Sequence, residues 1–459
     1  MKSLLRKLWI GTMLFPLGVM AQNPIIQTSY TPDPAPYVHN DTVYLFVGHD
    51  EDDALYFKMK DWTLFSTTDM VNWTYRGTPM STATFQWAKQ GDNAWASQAI
   101  ERNGKWYWYI CAEDTTKHLH GIGVGVADHP DGPYRDVIGK PLVPGDWGFI
   151  DPSVFIDEDG QAYLFWGNNG LWYAKLNEDM ISLGSKVMPV PGLEDEKAFG
   201  PKVMKMDYQL GKRVMKTGYE EGPWVFKRNG LYYLVYAAGG VPEHMAYSTS
   251  KSIHGPWEYR GRIQNESPNS FTIHGGSIEF KGRNFMFYHN GLLPNGGGFH
   301  RSSCVEEFTF GENGEFPLIP FTKEGVKTPV GTLNPFQRVE AETMANSYGL
   351  KTDRRAGREH YVTSIHNGDW MKLRAVDFGD GKAQTLKASF LNIKAGGAVE
   401  FFVDEMGGKP IARLEVTDTD DKKVLQANLQ KEISGVHDLY IIFRDMDGEM
   451  FDFDWWCLE

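Results

Sequence analysis

The chain has 459 residues with 59 acidic against 46 basic side chains, a formal charge of −13, 49 glycines and 14% aromatics. This length accommodates two or three domains, and the acidic balance argues against nucleic acid or anionic lipid and suits a neutral ligand. Three cysteines, Cys111, Cys304 and Cys457, are too few for a disulfide scaffold and are spaced for no zinc site, so they read as buried free thiols in apolar, strand-like runs.

Residues 1–21 have the parts of a secretory signal in the right order. Lys2, Arg6 and Lys7 form a basic head, an apolar run follows from Leu8 to Met20, and Ala21 ends a small-residue cleavage site. Loss of these three cations and no acid would leave a charge of −16. The expectation is a secreted or periplasmic protein. No later stretch is apolar for long enough to span a bilayer, so membrane insertion is not expected.

Beyond residue 22 one pattern is written five times. Asp33 opens "DPAPYVHNDTVYLFVGHD", Trp95 opens "WASQAIERNGKWYWYICA", and Asp151 opens "DPSVFIDEDGQAYLFWGN". Glu221 opens "EGPWVFKRNGLYYLVYA" and His274 opens "HGGSIEFKGRNFMFYHNG". Each copy is a strand, a tight turn and a second, aromatic strand, and Asn-Gly between apolar runs is a strong hairpin signal. Segments such as "LFSTTDMVNWTYRG" and "MAYSTSKSIHGPWEYRG" between the copies supply two further short strands each. Four strands make one blade, so the expected fold is a five-bladed β-propeller over 22–326, closed by "RSSCVEEFTFGENGEF". Long polar loops lie at Asp50–Trp62, Gln86–Asn93, Asp114–His120 and Glu194–Tyr219; the last, rich in Lys and Met, reads either as a pocket wall or as solvated surface.

Composition shifts near Phe321–Arg338, where Gly, Pro and Thr without periodicity predict a linker at 327–337. From 338 to 459 short alternating segments return, among them "AVEFFVDEM", "VHDLYIIFRD" and "MFDFDWWCLE", and predict a β-sandwich of the jelly-roll kind. The fold class is therefore all-β throughout.

In a propeller the opening positions of the copies converge on one axial pocket. Here they bring Asp33, Trp95, Asp151, Glu221 and His274, and three carboxylates facing one axis repel each other and lose hydration, which a fold has little structural reason to keep. Carboxylates in an aromatic pocket are the equipment for splitting a glycosidic bond. One is protonated to serve the leaving oxygen and one is ionised to activate water, about 6.5–9.5 Å apart for inversion and about 5–5.5 Å for retention. A third can keep the acid protonated by its negative charge. The residues alone leave the three roles open. Trp95 reads as a sugar platform or a core tryptophan, His274 as a metal or substrate contact or a satisfied core histidine, and Asn168 and Asn169 as turn residues.

The stretch from about Asn23 to Lys327 resembles glycoside hydrolase family 43, whose three acidic motifs match "DPAPYV", "DPSVFIDEDGQAYLFWG" and "EGPWVFKRNGLYYLVYA". The resemblance implies Asp33 as the general base, Asp151 as the group that tunes the acid and orients substrate, and Glu221 as the general acid. Glu220 competes with Glu221, but the following Gly-Pro matches the family only for Glu221. Arg301 matches an arginine near the substrate, and His274 matches an axial histidine that often touches a calcium ion. The implied activity is inverting hydrolysis of arabinose- or xylose-containing glycans, releasing α-L-arabinofuranosyl or β-D-xylosyl groups from a plant cell-wall polysaccharide or its oligosaccharides. An endo-acting arabinanase or xylanase, and a sugar-binding propeller without catalysis, are the alternatives. No organic cofactor is implied. The tail resembles carbohydrate-binding module family 6 through "RVEAET", "NGDWMKL", "GVHDLYIIF" and "FDFDWW". This implies Glu340, Glu342 and Asp454 as oxygen ligands of a structural calcium. The segment "DTDDKKVLQANLQ" lacks the aromatic that the family places there, and Asp452 replaces an asparagine, so a packing role for this domain stands beside sugar binding.

Overall fold

A computed structural model describes residues 22–207, 210–355, 359–417 and 422–459. The signal-like segment 1–21 and residues 418–421 of the aromatic-poor tail segment lie outside the described residues. Among the described residues no helix is long and apolar enough to cross a membrane.

The five repeats are five antiparallel sheets. The first contains Ala35–His39, Thr42–Asp50, Met59–Thr67 and Trp73–Tyr75; the second Ser97–Arg102, Lys105–Asp114, Leu119–Ala127 and Arg135–Asp136. The third contains Ser153–Ile156, Ala162–Trp166, Trp172–Lys175 and Met188–Pro189; the fourth Tyr219–Arg228, Leu231–Ala238, His244–Ser250 and Glu258–Glu266. The fifth has three strands, Ser277–Phe280, Arg283–Asn290 and Ser302–Phe308. The turns are as the residues predict. Arg102 pairs with Lys105, Arg228 with Leu231 and Phe280 with Arg283, leaving two-residue loops. Both loop residues have positive φ in each case (Asn103 and Gly104, Asn229 and Gly230, Lys281 and Gly282), the type I′ geometry whose twist suits a hairpin.

Aromatic second strands weld neighbouring blades together. Tyr109 and Cys111 pack with Leu164 and Trp166, Phe165 and Tyr173 with Leu234 and Tyr236, and Val43 and Leu45 with Phe285 and Phe287. Each large side chain so buried contributes roughly 1.5–3 kcal/mol. The ring is closed from the N-terminal side: Ile25 N donates to Ser303 O at 2.8 Å, Asn23 N to Lys323 O at 3.0 Å, and Val305 N to the Asn23 side chain at 3.0 Å. Cys111 and Cys304 are buried free thiols as expected, whereas Cys457 is half-buried, on the outer side of its strand.

The C-terminal region is a sandwich of two sheets. One joins Lys351–Arg354, His360–Thr363, Asp452–Leu458, Thr385–Leu391 and Lys422–Asn428; the other joins Asn346–Tyr348, Trp370–Asp377, Val436–Arg444, Gly397–Val403 and Ala412–Val416. Phe390, Phe401, Phe443, Phe453 and Trp456 fill the space between them. The sandwich is stitched to the propeller. Thr343–Met344 pairs with Trp73–Tyr75 and so adds a strand to the first blade. Segment 327–337 bonds to both sides, with Val330 N donating to Asp69 O and Leu333 N to Ala375 O, each at 2.9 Å.

Candidate active site

The backbone aims the acids inward by local devices that differ between blades. Asp33 and Asp151, at equivalent places in Asp-Pro pairs, both take the left-handed conformation, with φ of 55° and 57°. Such backbone costs energy for a non-glycine residue and persists where surrounding structure enforces it, commonly at functional sites. Glu221 sits instead inside its strand between two register shifts, which turn its side chain away from the regular pleat. Gly222 beside it has φ of 63°, and any Cβ there would lie 3.1 Å from the His274 ring, so glycine is required for the close approach.

These devices bring Asp33, Trp95, Asp151, Glu221, His274 and Arg301 to the wall of one cavity of about 260 Å³. Glu220 is not part of it: its carboxylate is in an ion pair with Lys205. Arg301, buried, donates to Asp33 Oδ1 at 3.1 Å and through two further nitrogens to both oxygens of Asp50, at 3.0 and 2.9 Å. Its guanidinium also lies 4.8 Å from the Phe57 ring centre. His289 Nδ1 lies 3.2 Å from both the Asp33 amide and Oδ1, and His274 Nδ1 is 3.9 Å from the same oxygen. Gly222 N donates to Asp151 Oδ2 at 3.1 Å, and Asn168 Nδ2 to Glu221 Oε2 at 2.5 Å.

The three carboxyls are thereby driven apart in acidity. Burial alone would raise Asp33, but Arg301, His289 and His274 outweigh it and hold this carboxyl well below its usual range. Burial raises Asp151 far above its usual range, with the charges of Glu221 and Asp33 adding to the effect. Burial also raises Glu221, opposed by the Asn168 hydrogen bond and reinforced by Asp33. One ionised and one protonated carboxyl in a shared pocket is the division of labour that acid–base cleavage requires.

Several residues of the site were not legible as such in the sequence. Asn168, read there as a turn residue, lines the cavity and holds Glu221; Asn169 is behind it and donates to Asn168 Oδ1. His120 lies against the Trp95 ring with centroids 4.5 Å apart, and burial lowers it to about 4, so it is neutral at ordinary pH. Neither of its ring nitrogens makes a well-formed hydrogen bond. Trp147, Phe57 and Thr272 complete the wall. Glu243, fully buried, accepts from Ile273 N at 2.9 Å; burial raises it strongly and Glu221 adds to the shift.

The implied metal positions differ in their fit. At His274 the carboxylate oxygen within 4 Å, Asp33 Oδ1, is already held by Arg301 and His289 and is a less suitable ligand for calcium than an unpaired carboxylate oxygen. In the sandwich, burial pushes Glu342 up to about 8 and its Oε2 has no hydrogen-bond partner, a donor set suited to a hard cation. Arg338 pairs with Glu340 and Asp454, and Lys422 with Asp454. Among the described residues, three metal-ligating atoms come within 4.8 Å of one another at His49, Glu51 and Asp61, and not at this trio.

An axial pocket of carboxylates in a five-bladed ring defines a glycosidase. The chain belongs to the glycosyl hydrolases family 43, whose model matches residues 21–316, and the carbohydrate binding module (family 6) matches residues 340–459. It is 29% identical to an arabinoxylan arabinofuranohydrolase of Bacillus subtilis over 493 residues, covering 95% of this chain and 91% of that one. It is also 29% identical to a xylosidase/arabinosidase of Bacteroides ovatus, covering 64% of this chain and 96% of the relative. The crystal structure of the Bacillus subtilis family 43 arabinoxylan arabinofuranohydrolase in complex with cellotetraose superposes with a TM-score of 0.79 at 26% identity, covering 96% and 98% of the two chains. A family 43 β-xylosidase/α-arabinofuranosidase from a compost metagenome, described in a calcium-free form with xylotriose, has a TM-score of 0.56 at 27% identity over 66% of this chain and 98% of its own.

Proposed function

We propose that this glycosidase releases α-L-arabinofuranosyl or β-D-xylosyl groups from arabinoxylan, arabinan or their fragments, with inversion at the anomeric carbon. The observation that carries this reading is the opposite displacement of Asp33 and Glu221 within one pocket. Asp33, ionised, takes a proton from water. The water oxygen attacks the anomeric carbon while Glu221 gives its proton to the departing oxygen, and the glycosidic C–O bond breaks. Both carboxyls then regain their starting states by exchange with solvent. Asp151, held by the Gly222 amide in the same pocket and kept largely protonated by burial, is the proposed group that orients the substrate, while the negative charge of Asp33 supports the protonated form of Glu221. Trp95 and His120 are the proposed sugar contacts: an aromatic face for the ring and a neutral imidazole for hydroxyls. In the C-terminal region, Glu342, Glu340 and Asp454 are the groups proposed to hold calcium. The division proposed is a catalytic unit at 22–326, a connecting segment at 327–337 and the sandwich at 338–459. The names of the relatives and the match to a carbohydrate-binding module support a pentose-bearing polysaccharide as substrate.

Replacing Glu221 by Gln tests the acid. Turnover of an arabinoxylan oligosaccharide should fall by roughly 100-fold or more. An aryl glycoside with a nitrophenolate leaving group needs no proton and should lose much less. Normal turnover of the oligosaccharide by the variant would remove Glu221 from the mechanism.

A further inference from the structure

A hairpin outside the blade pattern, Val203–Asp207 with Lys212–Lys216, stands between the third and fourth blades. Strand alternation splits its side chains: Met204 and Met206 are exposed, while Lys205 turns inward and its side chain is only 11% exposed. The Lys205 stem packs over the Gly239–Gly240 turn, since a Cβ on Gly240 would lie 3.4 Å from Lys205 Cε. Its ammonium ends in an ion pair with buried Glu220 and 3.4 Å from Asn169 Oδ1.

From there a line of donors runs to the acid. Lys205 donates to Asn169, Asn169 to Asn168 Oδ1, and Asn168 to Glu221 Oε2. Asn169 is fixed from its other side as well, its amide donating to Glu220 O at 2.8 Å. We propose that Lys205 is a positioning residue for the general acid: through Asn169 and Asn168 it fixes the orientation of Glu221, and its charge offsets the carboxylates gathered behind the pocket. This rests on the reading of Glu221 as the acid.

The titratable groups around Glu221 are the carboxyls of Asp33, Asp151 and Glu243, of which Asp33 is held ionised and the other two are raised by burial, and the cations Arg301 and Lys205. Arg301, bound to Asp33 and Asp50, acts on Glu221 from within the pocket, and Lys205, paired with Glu220 and attracted by Glu243, adds a second positive charge to it. Burial pushes Lys205 down to about 8, against the pull of Glu243 and Glu221. An aliphatic residue of the same length would keep the packing over Gly240 and lose both the charge and the donor.

The test is Lys205→Met beside Lys205→Arg, each measured on an arabinoxylan oligosaccharide and on p-nitrophenyl α-L-arabinofuranoside. Lys205→Met should lower kcat on the oligosaccharide about tenfold or more with KM little changed, because a misoriented acid fails in the transition state. The aryl substrate should lose far less. The falling limb of the pH profile should move to higher pH, since loss of a cation favours the protonated form of Glu221. Lys205→Arg should recover most of the rate. An unchanged rate and pH limb in Lys205→Met would overturn the proposal. So would equal losses on both substrates, or a lower melting temperature with no movement of the pH limb, because these mark a hairpin anchor and nothing more. If Glu221→Gln itself turns over the oligosaccharide normally, the acid assignment fails; if that variant is inactive and Lys205→Met is normal, only the role of Lys205 fails.

Discussion

Asp33 and Glu221 are carboxyls of similar intrinsic strength, and their surroundings decide which one carries the proton. Arg301 is the deciding neighbour of Asp33, and its fork is committed to two buried carboxylates at once. A lysine could not satisfy both in that geometry. The consequence is a predicted pH profile. Activity needs Asp33 ionised and Glu221 protonated, so it should be lost on the acid side only well below the usual carboxylate range. It should be lost on the alkaline side above the ordinary value of 4.5 for Glu221, because that group is raised. The pH dependence of kcat/KM checks this, and a falling limb at or below 4.5 would contradict it. The sequence was most readable at this scale where residue type and repeat position coincide: Asp33, Asp151 and Glu221 all open copies of one pattern. His120, His289 and Glu243 sit within or at the ends of strands with no repeated neighbour, and Asn168 and Asn169 carry turn chemistry as well as site chemistry. Nothing in residue type separates these two uses.

At the level of single elements, the hairpin turns followed from local residue preferences, since Asn-Gly permits the positive φ that a two-residue hairpin loop needs. The bulges around Glu221 did not, because a bulge is a choice of register between two strands. The hairpin carrying Lys205 was legible only as a Lys- and Met-rich loop. In the sandwich, the start of the domain carries a distinct prediction through Glu342. Its folded-state value is about 8 against an ordinary 4.5, so over that interval the folded chain holds a proton that the unfolded chain has lost. Without calcium, the stability contributed by the protonated group should decline as pH rises through this window. Calcium at pH 8 should restore it by replacing the proton, and Glu342→Gln should flatten the dependence and abolish the calcium response. Thermal unfolding with calcium or a chelator at pH 5 and pH 8 measures this. A melting temperature indifferent to calcium in the wild type would remove the proposed site.

Across the molecule, the propeller and sandwich are joined by more than a tether. The strand Thr343–Met344 extends the first blade, and Arg374 donates to the Gln22 side chain at 3.0 Å, to Val326 O at 2.9 Å and to Lys327 O at 2.7 Å. The sandwich arginine therefore clasps both the segment that closes the propeller ring and the chain leaving it. Arg374→Ala should destabilise the junction by roughly 1–3 kcal/mol and split a single calorimetric transition into two, with activity at low temperature preserved. One unchanged transition would show that the two units unfold together for other reasons. Sequence periodicity anticipated both units, because alternation of apolar residues is local. It gave no sign of the docking, which rests on contacts such as Asn72 with Arg374, 302 residues apart.

All of this depends on water, activated by Asp33, attacking opposite the bond that Glu221 protonates. The most direct test follows by NMR the anomeric proton of the first sugar released from an arabinoxylan oligosaccharide, before mutarotation. The account predicts the configuration opposite to that of the substrate. First appearance of the retained configuration would make Asp33 a nucleophile and contradict it.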